Sequence, residues 1–159
     1  MLHNTKIDIA KGKRGKLVAI LNQRLADASD LKSQAKQSHW NVKGMNFIAL
    51  HELFDKVATE LDPIVDDIAE RVTTLGGTAL GTVRVAAQNS SLAEYPLEIT
   101  DGPAHVDALS NALADFGKKV RADIDTTDEL GDADTADLFT GISRAIDKLL
   151  WFVEAHLQN

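Results

Sequence analysis

Apolar residues recur every three or four positions along most of the chain, which is the spacing of helices that bury one side. The first apolar stripe lies within residues 17–35 and predicts a helix from about residue 13 to residue 42. A second stripe, within residues 54–75, follows Gly44 and Asn46, which are suited to end one helix and to cap the next. The two stripes predict a pair of long helices joined by a short turn.

Two further stripes predict two more long helices in the second half of the chain. The third helix opens at the candidate N-cap Asp101 and continues to about residue 128. Gly131 separates it from a fourth helix of about residues 135–157. His105 lies four residues after Asp101, so we expect a local contact within the third helix rather than a role in metal binding.

The connection between the second and third long helices is the longest in the chain. Gly76 and Gly77 end the second helix, and residues 82–95 then form a connection with a short helix at about residues 83–87. Such a connection runs the length of a four-helix bundle when the second and third helices are parallel. The pattern predicts an all-α four-helix bundle with a short extra helix in this connection.

Four possible metal ligands share one face of the second helix, separate from its apolar stripe. At about 100° per residue, phases of roughly 0°, 40°, 60° and 100° belong to His51, Asp55, Asp66 and Glu70. Imidazole and carboxylate ligands together suit iron, manganese or zinc and do not distinguish them. A row of charged side chains is also typical of a solvated helix face, and spacing alone favours that alternative.

The length of the second helix limits how these ligands can meet. Asp55 and Glu70 lie about 22 Å apart along the axis, whereas metal–ligand distances are about 2.0–2.6 Å. Two antiparallel copies of the helix, crossing at a twofold axis near residue 61, would bring the first pair of ligands of one subunit to the last pair of the other. Two identical sites would result, and His39 at the end of the preceding helix is placed to join each.

Several short motifs in this region resemble those of Dps, the DNA-binding proteins from starved cells. The similarity runs from about residue 17 to residue 157 and covers most of the chain in order. The motifs that carry it are His39-Trp40-Asn41, His51-Glu52 with Asp55, Ala69-Glu70-Arg71 and the glycine-rich run of residues 75–82.

The resemblance implies a ferritin-like fold and an iron enzyme. Proteins of this family form a shell of twelve subunits, built from twofold dimers, and act as ferroxidases that oxidise Fe(II) to Fe(III), preferably with hydrogen peroxide. The ferric oxide is stored inside the shell, which protects DNA from oxidative damage, and no haem is implied. The catalytic metal ligands carried over are His39, His51 and Asp55 from one subunit with Asp66 and Glu70 from its partner.

A ferritin or haem-containing bacterioferritin is a weaker alternative. Those proteins build a di-iron centre within one subunit from Glu-x-x-His pairs on the bundle helices. No Glu in this sequence is followed three residues later by His. The sequence therefore favours the shared site.

Composition limits the domain count, the binding partners and the compartment that we expect for the protein. The chain has 159 residues, enough for one domain, and a net charge of −7 that disfavours a general binder of nucleic acids or anionic membranes. It has no cysteine, no secretory leader, and no apolar run long enough to span a bilayer. We expect a bacterial cytoplasmic protein without a membrane partner, associated with the nucleoid if it binds DNA.

The beginning of the chain is basic although the whole is acidic. We expect residues 1–12 to form a basic N-terminal arm and residues 13–159 to form the bundle domain. Such an arm can hold DNA phosphates without reading sequence, and a solvated, frayed terminus is an equal alternative. If the arm is the main determinant, the protein is a non-enzymatic DNA-packing protein of the nucleoid. The possible DNA contacts are Lys6, Lys11, Lys13, Arg14 and Lys16.

A second acidic cluster lies between the third and fourth long helices. Threefold repetition in a shell could gather such carboxylates into a pore that attracts Fe(II). Solvated turns and N-caps are the ordinary role of such residues, and Asp134 is a candidate cap. The possible pore residues are Asp128, Asp132, Asp134 and Asp137.

Overall fold

The computed structural model describes residues 2–158, which form five helices and no strand. The helices are α1 (Lys11–Asn41), α2 (Phe47–Thr74), α3 (Val83–Asn89), α4 (Gly102–Glu129) and α5 (Ala133–Glu154). This confirms the predicted all-α bundle of four long helices with a short helix, α3, in the long connection. No helix in the described part of the chain is both long and apolar enough to cross a membrane. Met1 and Asn159, the outer ends of the predicted arm and bundle segments, lie outside the described residues, and the boundary at residue 12 stays a prediction.

The four long helices pack as two pairs around one core. α1 lies mainly against α2 and α4 against α5, while contacts of α1 with α4 and of α2 with α5 join the pairs. Phe54, Phe116 and Phe139, from three different helices, are completely buried in this core. Replacing one such side chain with alanine typically costs about 3–5 kcal/mol of stability, so the core holds the helix faces in register.

Helix caps occupy the predicted positions at two helix starts and differ at a third. Asp101 caps α4, because its carboxylate accepts a hydrogen bond of 3.0 Å from the Ala104 backbone N–H. Asn46 is the N-cap residue of α2, as predicted, but its side chain makes no capping hydrogen bond. Asp132, not Asp134, caps α5, since its carboxylate accepts from the backbone N–H of Thr135 at 3.2 Å.

The turn between α1 and α2 is tight and is held by the start of α4. Gly44 has a φ of 111°, a left-handed conformation that glycine adopts without steric cost. The Lys43 backbone N–H donates to the Thr100 carbonyl at 2.9 Å. The end of α1 and the beginning of α2 are thereby fixed side by side.

The segment before α1 lies against the far end of α2. The His3 backbone N–H donates to the Gly76 carbonyl at 2.8 Å. Gly76 has a φ of 83°, and a Cβ atom there would approach the His3 carbonyl oxygen to 2.7 Å. Arg14 is 5% exposed and donates to the carbonyls of Leu75 at 2.7 Å and Ile9 at 3.1 Å. The buried guanidinium therefore joins the beginning of the chain to the end of α2.

Candidate metal centre

Two histidines meet where α1 ends and α2 begins. His39 stands in the last turn of α1 and His51 near the start of α2, and their rings stack with centroids 3.8 Å apart. His39 Nδ1 is 2.7 Å from the His51 carbonyl oxygen, and His51 Nδ1 is 2.8 Å from the His39 carbonyl oxygen. The two residues thus hold each other through reciprocal hydrogen bonds to the backbone.

These bonds determine which nitrogen is available to a metal. A carbonyl oxygen only accepts, so Nδ1 of His39 and Nδ1 of His51 both carry a proton and donate. In the neutral imidazole the other nitrogen, Nε2, then keeps its lone pair, which is the form that binds a metal ion. Both rings are therefore fixed in the tautomer that a ligand needs.

Asp55 lies one helical turn after His51, and its carboxylate forms an ion pair with a lysine. Lys36 Nζ is 2.7 Å from Asp55 Oδ1. The hydrogen bond from Lys36 lowers the pKa of Asp55 below its ordinary value of 3.8, against the opposing effect of burial, and the charges of His39 and His51 act in the same direction as Lys36. The carboxylate stays ionised, and a metal ion at Asp55 must compete with Lys36. We call His39, His51 and Asp55 the histidine half-site.

Asp66 and Glu70, which we call the carboxylate half-site, lie on the later part of α2. Both side chains are exposed. The rise of 1.5 Å per residue separates Glu70 from Asp55 by about 22 Å along the helix. Within residues 2–158 no three His, Asp or Glu side chains are placed to hold one metal ion. The structure pairs His39 with His51, places Asp55 one helical turn further along α2, and leaves the carboxylate half-site at the other end of the same helix.

The residue after Glu70 connects α2 to the start of α5. The Arg71 guanidinium donates to both carboxylate oxygens of Asp132, at 2.7 and 2.9 Å, and to the Thr135 hydroxyl at 2.9 Å. Burial of the Asp132 carboxylate raises its pKa, but the hydrogen bonds from Thr135 and Arg71 outweigh burial and leave the pKa below 3.8. An ionised, buried carboxylate therefore fixes the end of α2 that carries Glu70.

This ion pair changes the set of possible pore residues. Asp132 is 3% exposed and faces Arg71, so in this protomer it is unavailable to a pore. Asp128, Asp134 and Asp137 are exposed. Asp134 and Asp137 also line a cavity of about 400 Å³ together with Glu70. Asp134 and Asp137 thus lie on the same surface as Glu70 of the carboxylate half-site.

The predicted DNA contacts also divide into exposed residues and one buried residue. The side chains of Lys6, Lys11, Lys13 and Lys16 are exposed. Arg14 is buried, and its guanidinium is bonded to backbone carbonyls, so it is not free to contact a phosphate. Four of the five predicted positions remain accessible.

Sequence reasoning missed Lys36 and the main partner of the His105 ring. Lys36 precedes His39 by three residues, a spacing that places both on one side of α1, so its position could have been found. The expected local contact of His105 with Asp101 is present as a backbone hydrogen bond of 3.2 Å, but the ring itself bonds to the Tyr95 hydroxyl. Tyr95 comes from the long connection, and no spacing within α4 indicates that contact.

Comparison with known proteins places these features in a wider group. A family model described as a ferritin-like domain matches residues 18–159. A DNA protection during starvation protein of Agrobacterium fabrum is 46% identical over 157 residues, which are 99% of this chain and 97% of that protein. The structure of Mycobacterium smegmatis Dps in a tetragonal form is similar with a TM-score of 0.94 and 30% identity, covering 100% of this chain and 96% of that chain. A Vibrio cholerae DPS protein, described as a member of a broad superfamily of ferritin-like diiron-carboxylate proteins, gives a TM-score of 0.91 at 25% identity over 99% of each chain.

Proposed function

The chain belongs to the ferritin-like family and, within it, to the Dps proteins, and from this premise we propose that it is a ferroxidase that stores iron and protects DNA. Fe(II) is its substrate and hydrogen peroxide its preferred oxidant. The ferric product is kept inside a shell of subunits, which we propose to be a dodecamer built from twofold dimers. We place the protein in the bacterial cytoplasm.

The histidine half-site is the observation that carries this proposal. Two imidazoles with their Nε2 lone pairs free, one helical turn before an ionised carboxylate, supply the ligand types that bind iron, although these three side chains do not enclose a metal position within one chain. The proposed site is therefore completed by a second subunit. An antiparallel second subunit would add Asp66 and Glu70, since its α2 would cross this one near residue 61.

The ligand types suit iron oxidation. Carboxylates are hard anionic ligands, so they favour Fe(III) over Fe(II), while the imidazoles fix the geometry. With two Fe(II) ions at one site, peroxide would take one electron from each and two protons from solvent, both oxygen atoms would leave as water, and no hydroxyl radical would be released. For the second iron to share Asp55, the Lys36 ammonium group must move away from that carboxylate.

The test is the double substitution His51→Ala with Asp55→Ala. We expect the initial rate of peroxide-dependent Fe(II) oxidation to fall by at least about tenfold, because two of the three ligands of the histidine half-site are lost. Stopped-flow absorbance of the ferric product measures the rate, and light scattering checks that the shell persists. Glu60→Ala, an exposed acid on the opposite side of α2, is the matched control. An assembled double variant that oxidises iron at the control rate would exclude this site.

The four exposed lysines near the N-terminus support a second candidate function, DNA packing without enzymatic activity. Replacing Lys6, Lys11, Lys13 and Lys16 with Gln should weaken a DNA gel shift and flatten its dependence on salt, because fewer phosphate counterions are released. The control is the same charge change at four exposed lysines away from the N-terminus, Lys43, Lys56, Lys118 and Lys148. An equal loss in both variants would show that total charge, not this segment, governs DNA binding.

A further inference from the structure

A chain of hydrogen bonds that the proposed function does not use runs behind the histidine half-site. Tyr95, in the connection between α3 and α4, places its hydroxyl 2.5 Å from His105 Nδ1, in the first turn of α4. The Ser38 hydroxyl of α1 lies 2.9 Å from the same Tyr95 oxygen. Ser38 is buried and immediately precedes His39. The only tyrosine of the protein is thus linked to a proposed iron ligand by one hydrogen bond and a short run of covalent bonds.

The surroundings keep this Tyr–His pair neutral. Burial raises the pKa of Tyr95, against the opposing hydrogen bond from Ser38, so the phenol stays protonated. Burial lowers the pKa of His105, against the opposing effects of the Asn41 carbonyl and the Asp101 carboxylate, so the imidazole is neutral. The phenol therefore donates to Nδ1 of a base that holds no extra proton, and in that tautomer Nε2 carries the ring hydrogen.

The position of His105 suits it to receive a proton. The residue is 1% exposed, so it exchanges protons with its neighbours more readily than with solvent. Its Nε2 has no hydrogen-bond partner within residues 2–158, although the Asn41 carbonyl at the end of α1 is near enough to favour the charged ring. A proton arriving at Nδ1 would make an imidazolium beside the negative end of the α1 dipole.

The ion pair of Lys36 with Asp55 bears on how many electrons the bound iron can supply to peroxide. As long as Lys36 keeps its ion pair with Asp55, a second iron cannot share that carboxylate, and a site at low Fe(II) would hold one iron. One Fe(II) supplies one electron, whereas peroxide requires two for complete reduction. The missing electron must come from the protein if hydroxyl radical is not to escape.

We propose that Tyr95 supplies this second electron and His105 takes the accompanying proton, so that a site with a single iron reduces peroxide completely. Fe(II) becomes Fe(III) and breaks the O–O bond to give hydroxide and a hydroxyl radical equivalent. Tyr95 reduces that equivalent to a second hydroxide and becomes a neutral phenoxyl radical, as its O–H proton passes to His105 Nδ1. One Fe(II), one peroxide, one phenol and one imidazole thus give Fe(III), two hydroxides, a phenoxyl radical and an imidazolium.

The hydrogen bond to His105 distinguishes Tyr95 from the tryptophans near the site and on α5. An oxidised phenol is a strong acid, so its oxidation is easiest where a neutral base already accepts its proton. Trp40 is 67% exposed and Trp151 is 58% exposed, so radicals formed on them would meet solvent. Tyr95 would hold its radical inside the protein.

This inference rests on the proposed function, and the experiment separates the two. The assembled protein, loaded anaerobically with less than one Fe(II) per subunit, is mixed with peroxide and frozen rapidly for electron paramagnetic resonance. Protein grown with ring-deuterated tyrosine labels Tyr95 alone. We expect a radical signal that narrows with the label, disappears in Tyr95→Phe and is strongly reduced in His105→Gln, whose amide accepts the hydrogen bond but is not a base.

A spin trap for hydroxyl radical gives a second readout that does not need the His105 variant to fold. Tyr95→Phe should release more trapped radical per iron oxidised than wild type, whereas the control Trp40→Phe should release about as much as wild type. If peroxide does not oxidise the bound Fe(II), the proposed function fails and this inference with it. If iron is oxidised but the signal is unaffected by labelled tyrosine, the inference alone is overturned.

Discussion

At the scale of single residues, the least expected feature is that the carboxylate of a proposed ligand already has a partner. Lys36 and Asp55 form an ion pair near the two histidines. The pair keeps the carboxylate ionised and also places a positive charge where, on the proposed function, Fe(II) would have to bind. The affinity for Fe(II) would then depend on the balance between the carboxylate charge and the ammonium charge.

Lys36→Met tests this balance, since methionine keeps the length of the side chain without its charge. We expect Fe(II) to bind several times more tightly and a second iron to enter each site at lower concentration, because no cation competes at Asp55. Anaerobic titration calorimetry measures both quantities. Lys32→Met is the matched control: Lys32 lies one turn earlier on α1 and pairs with Asp62 instead. Equal iron binding in wild type and both variants would show that Lys36 does not limit the site.

At the scale of helices, the buried Arg71–Asp132 pair decides how α2 meets α5. Asp132 caps α5 through Thr135 and binds the side chain that follows Glu70. Its pKa in the folded protein is below 3.8, so its ionised form stabilises the fold above the unfolded pKa. That contribution is lost as the pH falls through the folded value.

Two substitutions at Asp132 follow from this. Asp132→Ala removes the buried carboxylate that pairs with Arg71 and caps α5, and should lower the free energy of unfolding by about 2–3 kcal/mol. Asp132→Asn should lower it less, and its difference from wild type should shrink as the pH falls below 3.8. Urea unfolding at a series of pH values and one protein concentration measures this, with the exposed Asp128→Asn as control. A difference that grows in acid would contradict the lowered pKa.

Helices were predictable because their apolar spacing is a local property of the sequence. α1 begins two residues before its predicted start and α5 ends three before its predicted end, which are the fraying positions of a helix. Capping hydrogen bonds were less predictable, since Asn46 is at the predicted position but its ψ of 20° lies outside the extended region that capping residues usually adopt, and its side chain makes no capping bond. Arg14 reads as part of a basic arm, yet its partner Leu75 lies 61 residues away and no local pattern reveals it.

The possible ligand residues of the candidate site were predictable from the sequence, but the contacts that surround them were not. Spacing on one helix and the family motifs identified the possible ligands, because both are visible along the chain. The tautomers of His39 and His51 depend on two carbonyls that meet only when α1 and α2 are side by side. The Tyr95–His105 contact likewise joins a connection to a helix start, so it exists only in the folded protein.

At the scale of the whole molecule, the histidine half-site and the carboxylate half-site of one chain belong to two different iron sites if the shared-site proposal holds. A subunit with His51→Ala and Asp55→Ala would still lend Asp66 and Glu70 to its neighbour. A subunit with Asp66→Ala and Glu70→Ala would still lend the histidine half-site to its neighbour. Each defect alone therefore inactivates every site of its own assembly, although neither subunit lacks both halves.

Assembling the two defective subunits together should restore activity, and this is the sharpest test of sharing. In a mixed dimer one site combines both defects and the other combines both intact halves, so random pairing restores about one quarter of all sites. Coexpression of the two differently tagged chains, purification of mixed shells and stopped-flow Fe(II) oxidation measure the recovery. Shells that contain either defect alone are the controls. If each subunit formed its iron site from its own residues, mixing would add only inactive sites to inactive sites, and the rate would remain that of the controls.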